Sequence, residues 1–137
     1  VLATMELEQR THRIAANGLT HFIRDTGESG APAAILLHGF PDSSAVWDRL
    51  TPYLVAGGYR VIAPDLRGFG DTDMAPRVAD YDIETGAAID VIAILDALAV
   101  SKAHLVGHDF GAPVAWMLAA QKPARFQSLA ALSVGHM

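Results

Sequence analysis

Gly107-His108-Asp109-Phe110-Gly111 separates a strand-like run, His104 to Val106, from a helix-like run, Ala112 to Gln121. A chain that turns from a strand into a helix within so few residues crowds its backbone, so the flanking positions must lack bulk, and Gly107 and Gly111 meet that need. The residue at the apex is pushed outward. Taken alone, the pentapeptide is more typical of a plain tight turn, but the rest of the chain favours Asp109 as a nucleophile.

Aspartate at the apex indicates substitution at a saturated carbon. A serine that displaced a leaving group from such a carbon would leave an ether, which water does not cleave under enzymatic conditions. A carboxylate leaves an ester that water can hydrolyse, and aspartate is ionised near neutral pH without a base. Hydrolysis of the ester passes through an oxyanion, which needs backbone N–H donors. Two are expected here: Phe110, beside the nucleophile, and Phe40, in the His38-Gly39-Phe40-Pro41 loop after the third strand.

The composition is that of a soluble globular domain. The 137 residues are 51% hydrophobic and 18% charged, with no apolar run near the ~20 residues that span a bilayer. A net charge of −5 without a Lys or Arg cluster excludes nucleic acid as a partner. The absence of cysteine fits a reducing compartment, so we expect a cytoplasmic protein, with secretion left open. Val1 to Met5 is too short and too uncharged for a signal peptide.

Strand and helix signals alternate from about residue 33, which predicts an α/β fold with a mostly parallel, doubly wound sheet. Asn17-Gly18 is a strong hairpin signal, and it predicts an antiparallel pair before that sheet. The predicted strands are His12 to Ala16, Thr20 to Asp25, Ala33 to Leu37, Arg60 to Ala63, His104 to Val106 and Ser128 to Val134. The predicted helices run from Thr51 through Ala56, from Asp82 to about Ala99 and from Ala112 to Gln121.

Three motifs, in the same order and spacing, make the chain resemble the α/β-hydrolase superfamily, and within it the epoxide hydrolase and haloalkane dehalogenase branch. They are His38-Gly39-Phe40-Pro41, Asp65-Leu66-Arg67-Gly68-Phe69-Gly70 and Gly107-His108-Asp109-Phe110-Gly111. The resemblance covers about residues 12 to 137. It implies Asp109 as the nucleophile, the N–H groups of Phe40 and Phe110 as the oxyanion hole, and residues 65–70 as a structural loop in which Arg67 pairs with an acid.

The implied substrate is a small apolar epoxide, opened to a diol through an alkyl-enzyme ester, or a small organic halide. Haloalkane dehalogenases usually carry tryptophan after the nucleophile, and fluoroacetate dehalogenases carry arginine; Phe110 offers no such donor, which favours epoxide opening. Tryptophan is also frequent at this position among epoxide hydrolases. We expect Phe40, Pro41 and Phe110 to contact substrate. The residues expected to support the site structurally are His38, Gly39, Gly107, His108 and Gly111.

No histidine has a convincing ligand spacing, so we predict neither a metal nor a cofactor. In the family, the histidine base, its orienting acid and the cap with its proton donors all follow the sixth strand. We therefore expect residues 1–137 to be the N-terminal part of a hydrolase core, ending after about the sixth strand without the cap domain and inactive alone. His136 is the only histidine after the Gly107–Gly111 turn, and a structural role suits it better than that of base.

Three interpretations stay open at this point. The chain is part of an epoxide hydrolase, or part of a haloalkane or haloacid dehalogenase with the same nucleophile, or a non-catalytic fragment or interaction module that keeps the turn as architecture. Either enzyme would be completed by a further region or a second chain. A strand edge near Leu129 to Val134 also predicts self-association into a homo-oligomer.

Overall fold

A computed structural model describes residues 7–136; residues 1–6 and 137, which include the start Val1 to Met5, lie outside the described residues. Six strands form one sheet. They are β1 (Gln9–Ala16), β2 (Leu19–Thr26), β3 (Ala33–Leu37), β4 (Arg60–Pro64), β5 (Ala103–His108) and β6 (Phe126–Leu132). Their spatial order is β1-β2-β4-β3-β5-β6. β1 and β2 are antiparallel, as are β2 and β4, whereas β4, β3, β5 and β6 are parallel, so the predicted sheet is confirmed.

The hairpin between β1 and β2 is also confirmed. Asn17 and Gly18 have φ angles of 48° and 79°, the left-handed conformation that a two-residue hairpin turn requires. Ala16 then pairs directly with Leu19, and the register continues to Gln9 opposite Thr26.

Three α-helices connect the parallel strands: α1 (Thr51–Ala56), α2 (Ala88–Ala97) and α3 (Gly111–Gln121). Short 3-10 turns cover Ser44–Trp47 and Val78–Tyr81. The predicted Asp82-to-Ala99 helix is one α-helix only in its second part, because Ile83–Ala87 forms a wider π-helical turn. It also ends earlier than predicted, because Leu98 leaves the helical conformation and Ala99 takes a φ of 56°.

The sixth strand is shifted from its predicted position, Ser128 to Val134, by two residues towards the N-terminus. It begins at Phe126 because this ring is buried in the core and its backbone pairs with Ala103 of β5. It ends before Ser133, whose φ of 71° turns the chain away from the sheet. The prediction was wrong at both ends, because a short apolar alternation does not mark where pairing with a neighbouring strand stops.

Alternate residues of β3 face opposite layers of the molecule. Ile35 and Leu37 belong to the cluster that α2 and α3 cover, whereas Ala34 and Leu36 pack with Trp47 and the α1 side of the sheet. The sheet is therefore doubly wound, as predicted. Because β3 pairs with β5 up to Leu37 opposite Gly107, the loops that leave the carboxyl ends of these two strands meet at one edge of the sheet.

Candidate active site

Asp109 lies at the apex of the turn between β5 and α3. Its φ of 52° is uncommon for a residue other than glycine, and neighbouring backbone groups hold it there. The Asp109 N–H donates to the Leu132 carbonyl (3.2 Å), and the Asp109 carbonyl accepts from the Ala112 N–H (3.0 Å). The end of β6 and the first turn of α3 thus fix the apex.

The two glycines of the turn leave no room for a side chain. A Cβ added to Gly107 would lie 2.5 Å from the Gly111 carbonyl oxygen. A Cβ added to Gly111 would overlap the carbonyl group of Leu37 on β3. Both obstacles are backbone atoms, which cannot rotate aside, so neither position has room for a side chain.

The Asp109 carboxylate is held by backbone N–H groups. The Phe40 N–H donates to its Oδ2 at 2.9 Å. The N–H groups of Phe40 and Phe110 hold the pKa of Asp109 below its ordinary value; desolvation partly opposes them, and His108 adds a smaller lowering. The carboxylate is therefore ionised at neutral pH. Within residues 7–136 no cationic side chain forms a salt bridge with it.

His38 is fully buried beneath the loop that carries the Phe40 N–H. Its Nδ1 lies 2.8 Å from the Gly39 carbonyl oxygen, and its Nε2 accepts a hydrogen bond from the Leu66 N–H (2.9 Å). The ring also packs edge-on against Phe69, with centroids 5.3 Å apart, and Phe69 packs edge-on against Phe40 at 5.9 Å. The sequence placed His38 near the site. It did not indicate the two contacts of His38 with residues 65–70, which are the hydrogen bond from Leu66 and the ring contact with Phe69.

The family model of the alpha/beta hydrolase fold matches residues 32–137. The chain belongs to this family.

The chain is similar to several epoxide hydrolases. It is 42% identical over 125 residues to "Epoxide hydrolase" of Caballeronia sordidicola, covering 91% of this chain and 37% of the relative. It is 39% identical over 121 residues to "Epoxide hydrolase A" of Mycobacterium tuberculosis, covering 88% and 37%. The crystal structure of Epoxide Hydrolase A from Mycobacterium thermoresistibile matches with a TM-score of 0.91 at 36% identity, covering 95% of this chain and 40% of that one. The resemblance drawn from the three motifs is thus confirmed, and the chain spans about two fifths of these relatives' length.

In this α/β-hydrolase, residues 65–70 form a loop that is held in place by hydrogen bonds and an ion pair. The buried Asp65 carboxylate accepts hydrogen bonds from the Ser44 N–H (2.7 Å) and the Asp71 N–H (2.9 Å). Arg67 forms a bidentate pair with Asp90, both contacts being 2.7 Å, which confirms that Arg67 pairs with an acid. The loop therefore supports the site, and it contacts the site both through His38 and through Phe69, which packs against Phe40.

The structure places the other predicted residues of this α/β-hydrolase as follows. Phe40 is 69% exposed, and a cis peptide bond joins it to Pro41. Phe110 is half-buried and packs partly against the core, so only part of its ring is available to a substrate. His108, the last residue of β5, is half-buried. His136 packs edge-on against Trp116 at 5.2 Å.

Among residues 7–136, no group of three or more His, Cys, Asp or Glu side chains could hold a metal ion. In the same range, no helix is long and apolar enough to cross a membrane.

Proposed function

We propose that this chain carries the nucleophile and the oxyanion hole of an epoxide hydrolase. The observation that carries the proposal is the Asp109 carboxylate, which is presented at a strained apex and held by the backbone N–H groups of Phe40 and Phe110. Similarity to epoxide hydrolases over about nine tenths of the chain supports the choice of substrate.

The environment of Asp109 differs from that of two buried carboxylates, Asp25 and Asp90. Asp25 is bonded to Arg10, His12 and Arg60, and Asp90 is bonded to Arg67. A carboxylate paired with a guanidinium has its charge and lone pairs engaged, which makes it a poor nucleophile. Asp109 is ionised and, among residues 7–136, forms no salt bridge with a cationic side chain, and so it keeps an oxygen available for attack.

The two oxygens of Asp109 have different roles in the proposed reaction. One oxygen attacks an epoxide carbon, the carbon–oxygen bond of the ring breaks, and the ring oxygen takes up a proton. The product is an ester whose carbonyl oxygen is Oδ2, the atom that already accepts from Phe40. Water then adds to the ester carbonyl, negative charge develops on Oδ2, and collapse releases the diol and restores the carboxylate.

The proposal assigns a small apolar epoxide as substrate. Phe40 and Phe69 present an aromatic surface beside the carboxylate, and Phe110 adds an apolar edge. None of these side chains offers a donor for a departing halide, which favours an epoxide over an alkyl halide. Turnover also needs a base, an orienting acid and proton donors, which the proposal assigns to a further region of the protein or to a second chain.

The experiment is intact-protein mass spectrometry after incubation with a panel of small epoxides and alkyl halides. It needs no base, because the ester forms before water attacks it. An epoxide adds its whole mass, whereas a halide adds its mass less that of hydrogen halide, so the mass gain distinguishes the two substrate classes. Peptide mapping must place the adduct on Asp109. A folded chain that gains no adduct from any compound would mean either that ring opening requires the proton donors assigned to the further region or that the turn is only architecture.

Gly39→Ala is expected to slow formation of this adduct about a hundredfold, the cost that a displacement of about 1 Å can have on a reacting group. The added Cβ would lie 2.5 Å from the Asp109 Cβ and 2.9 Å from its Oδ2, so the carboxylate must move. The measurement is the rate of mass gain under excess epoxide. Gly30→Ala is the matched control, because nothing lies within 4 Å of the new methyl group. Equal rates in the two variants would contradict the prediction.

A further inference from the structure

His38 joins two loops that the sequence presents as separate motifs. A continuous series of hydrogen bonds runs from the Leu66 N–H to His38, from His38 to the Gly39–Phe40 peptide group, and from that peptide group to Asp109. We call this series the His38 relay. It connects the structural loop at residues 65–70 to the oxygen on which the oxyanion would develop.

The two neighbours of the His38 ring determine its tautomer. A backbone N–H is only a donor, so Nε2, which faces the Leu66 N–H, must be unprotonated. A carbonyl is only an acceptor, so Nδ1, which faces the Gly39 oxygen, must carry the proton. Both constraints require the same neutral tautomer, in which Nδ1 carries the proton and Nε2 does not. Burial lowers the pKa of His38, although the Gly39 carbonyl, Asp65 and Asp42 act in the opposite direction.

The Gly39 carbonyl and the Phe40 N–H belong to one peptide group. The cis bond in this loop is the next one, Phe40–Pro41, and in a trans peptide group the C=O and the N–H point in opposite directions. A side chain that holds the carbonyl on one side therefore aims the N–H on the other. A hydrogen bond to the carbonyl also polarises the peptide group and strengthens its N–H as a donor.

We propose that His38 is a positioning residue for the oxyanion hole: its neutral Nδ1–H form, selected by the Leu66 N–H, holds the Gly39–Phe40 peptide group so that the Phe40 N–H points at Asp109 Oδ2. The catalytic consequence rests on the proposed function, but the geometry does not. The alternative is that His38 only fills space beside Phe69, in which case any side chain of similar size and burial would serve.

The first measurement uses the unaltered chain. Nitrogen-15 NMR of the His38 imidazole distinguishes a protonated ring nitrogen from a bare one. The proposal requires a protonated Nδ1 and a bare Nε2 at neutral pH. The opposite tautomer, or a ring that exchanges between both, would overturn it, whatever any variant does.

The second measurement compares two amide variants of His38. Asparagine can place a donor near the position of Nδ1 and so keep the bond to the Gly39 carbonyl, whereas glutamine reaches the position of Nε2 and loses it. We follow the Asp109 carboxyl by carbon-13 NMR titration and the Phe40 amide proton in each folded variant. His38→Gln is expected to raise the pKa of Asp109 towards its ordinary value and to move the Phe40 amide proton signal upfield. His38→Asn is expected to keep both the pKa of Asp109 and the Phe40 signal close to those of the unaltered chain.

An unchanged Asp109 titration in a folded His38→Gln variant would show that His38 only packs. Amide signals around Asp25 and Arg60, far from the relay, report whether the fold is retained. If the glutamine variant does not fold, the tautomer measurement and the asparagine variant decide the question. Since neither readout requires an adduct, a failure of the His38 relay can be distinguished from a failure of Asp109 to attack an epoxide.

Discussion

Replacing Asp109 with asparagine is expected to abolish the covalent adduct that the unaltered chain forms with an epoxide. The amide carries no negative charge and is a very weak nucleophile, so the loss is complete on the timescale of the unaltered reaction. The new amide side chain would keep an oxygen for the Phe40 N–H, and so the turn should retain its shape. Intact-mass measurement over time, with peptide mapping, checks the result.

Asp71→Asn is the matched control for this prediction. Asp71 is an exposed aspartate whose backbone, rather than its carboxylate, takes part in the loop, through its N–H to Asp65 and its carbonyl to Arg13. The same change of charge there should leave the adduct and its rate unaltered. An adduct that persists in the Asp109→Asn variant would mean that another group is being labelled, and it would remove the main support for the proposed function.

Replacing Asp25 with asparagine is expected to have the largest effect on stability. The Asp25 carboxylate is almost fully buried and bonds Arg60 through two contacts, at 2.9 and 2.8 Å, with Arg10 at 3.1 Å and His12 at 2.8 Å. The variant leaves the buried Arg60 guanidinium without its counter-charge. Loss of one partner of a buried pair costs about 3–5 kcal/mol, out of the about 5–15 kcal/mol that stabilise an ordinary domain. Urea unfolding at pH 7 measures the difference.

The effect of this substitution should also depend on pH. Burial raises the pKa of Asp25, but the hydrogen bonds from Arg60, His12 and Arg10 outweigh burial and hold the pKa well below its ordinary value. Because the folded state binds the proton more weakly than the unfolded state does, the ionised carboxylate stabilises the fold above about pH 4, the ordinary value for aspartate. This contribution is lost as the pH falls below that value, so the difference between the two proteins should shrink there.

Asp96→Asn is the control for the Asp25 prediction. Asp96 also forms a salt bridge with an arginine, Arg125, at 2.8 Å, but its side chain is 60% exposed. An exposed pair of this kind contributes about 0–1 kcal/mol. Similar losses in both variants would show that burial does not determine the strength of these pairs in this protein.

The parts of the fold that the sequence predicted correctly depend on neighbouring residues. Asn17-Gly18 specifies its hairpin because the turn needs two residues that tolerate positive φ. Gly107 and Gly111 mark the turn around Asp109 because only the smallest residue fits between the strand, the helix and β3. The wrong bounds of β6 have the opposite cause, because the start at Phe126 depends on a partner in β5.

The amino-acid sequence by itself determined the fold family, the apex position of Asp109, the need of Arg67 for an acidic partner and the proximity of the Phe40 loop to the nucleophile. Only the tertiary structure decided that Asp90 is that partner and that His38 links Leu66 to the Gly39–Phe40 peptide group. The Arg67–Asp90 and His38–Leu66 contacts join residues 23 and 28 positions apart, and the Phe40 bond to Asp109 spans 69. A pattern of neighbouring residues cannot specify them, because they form only when the fold brings together helix α2 and the loops that follow β3, β4 and β5.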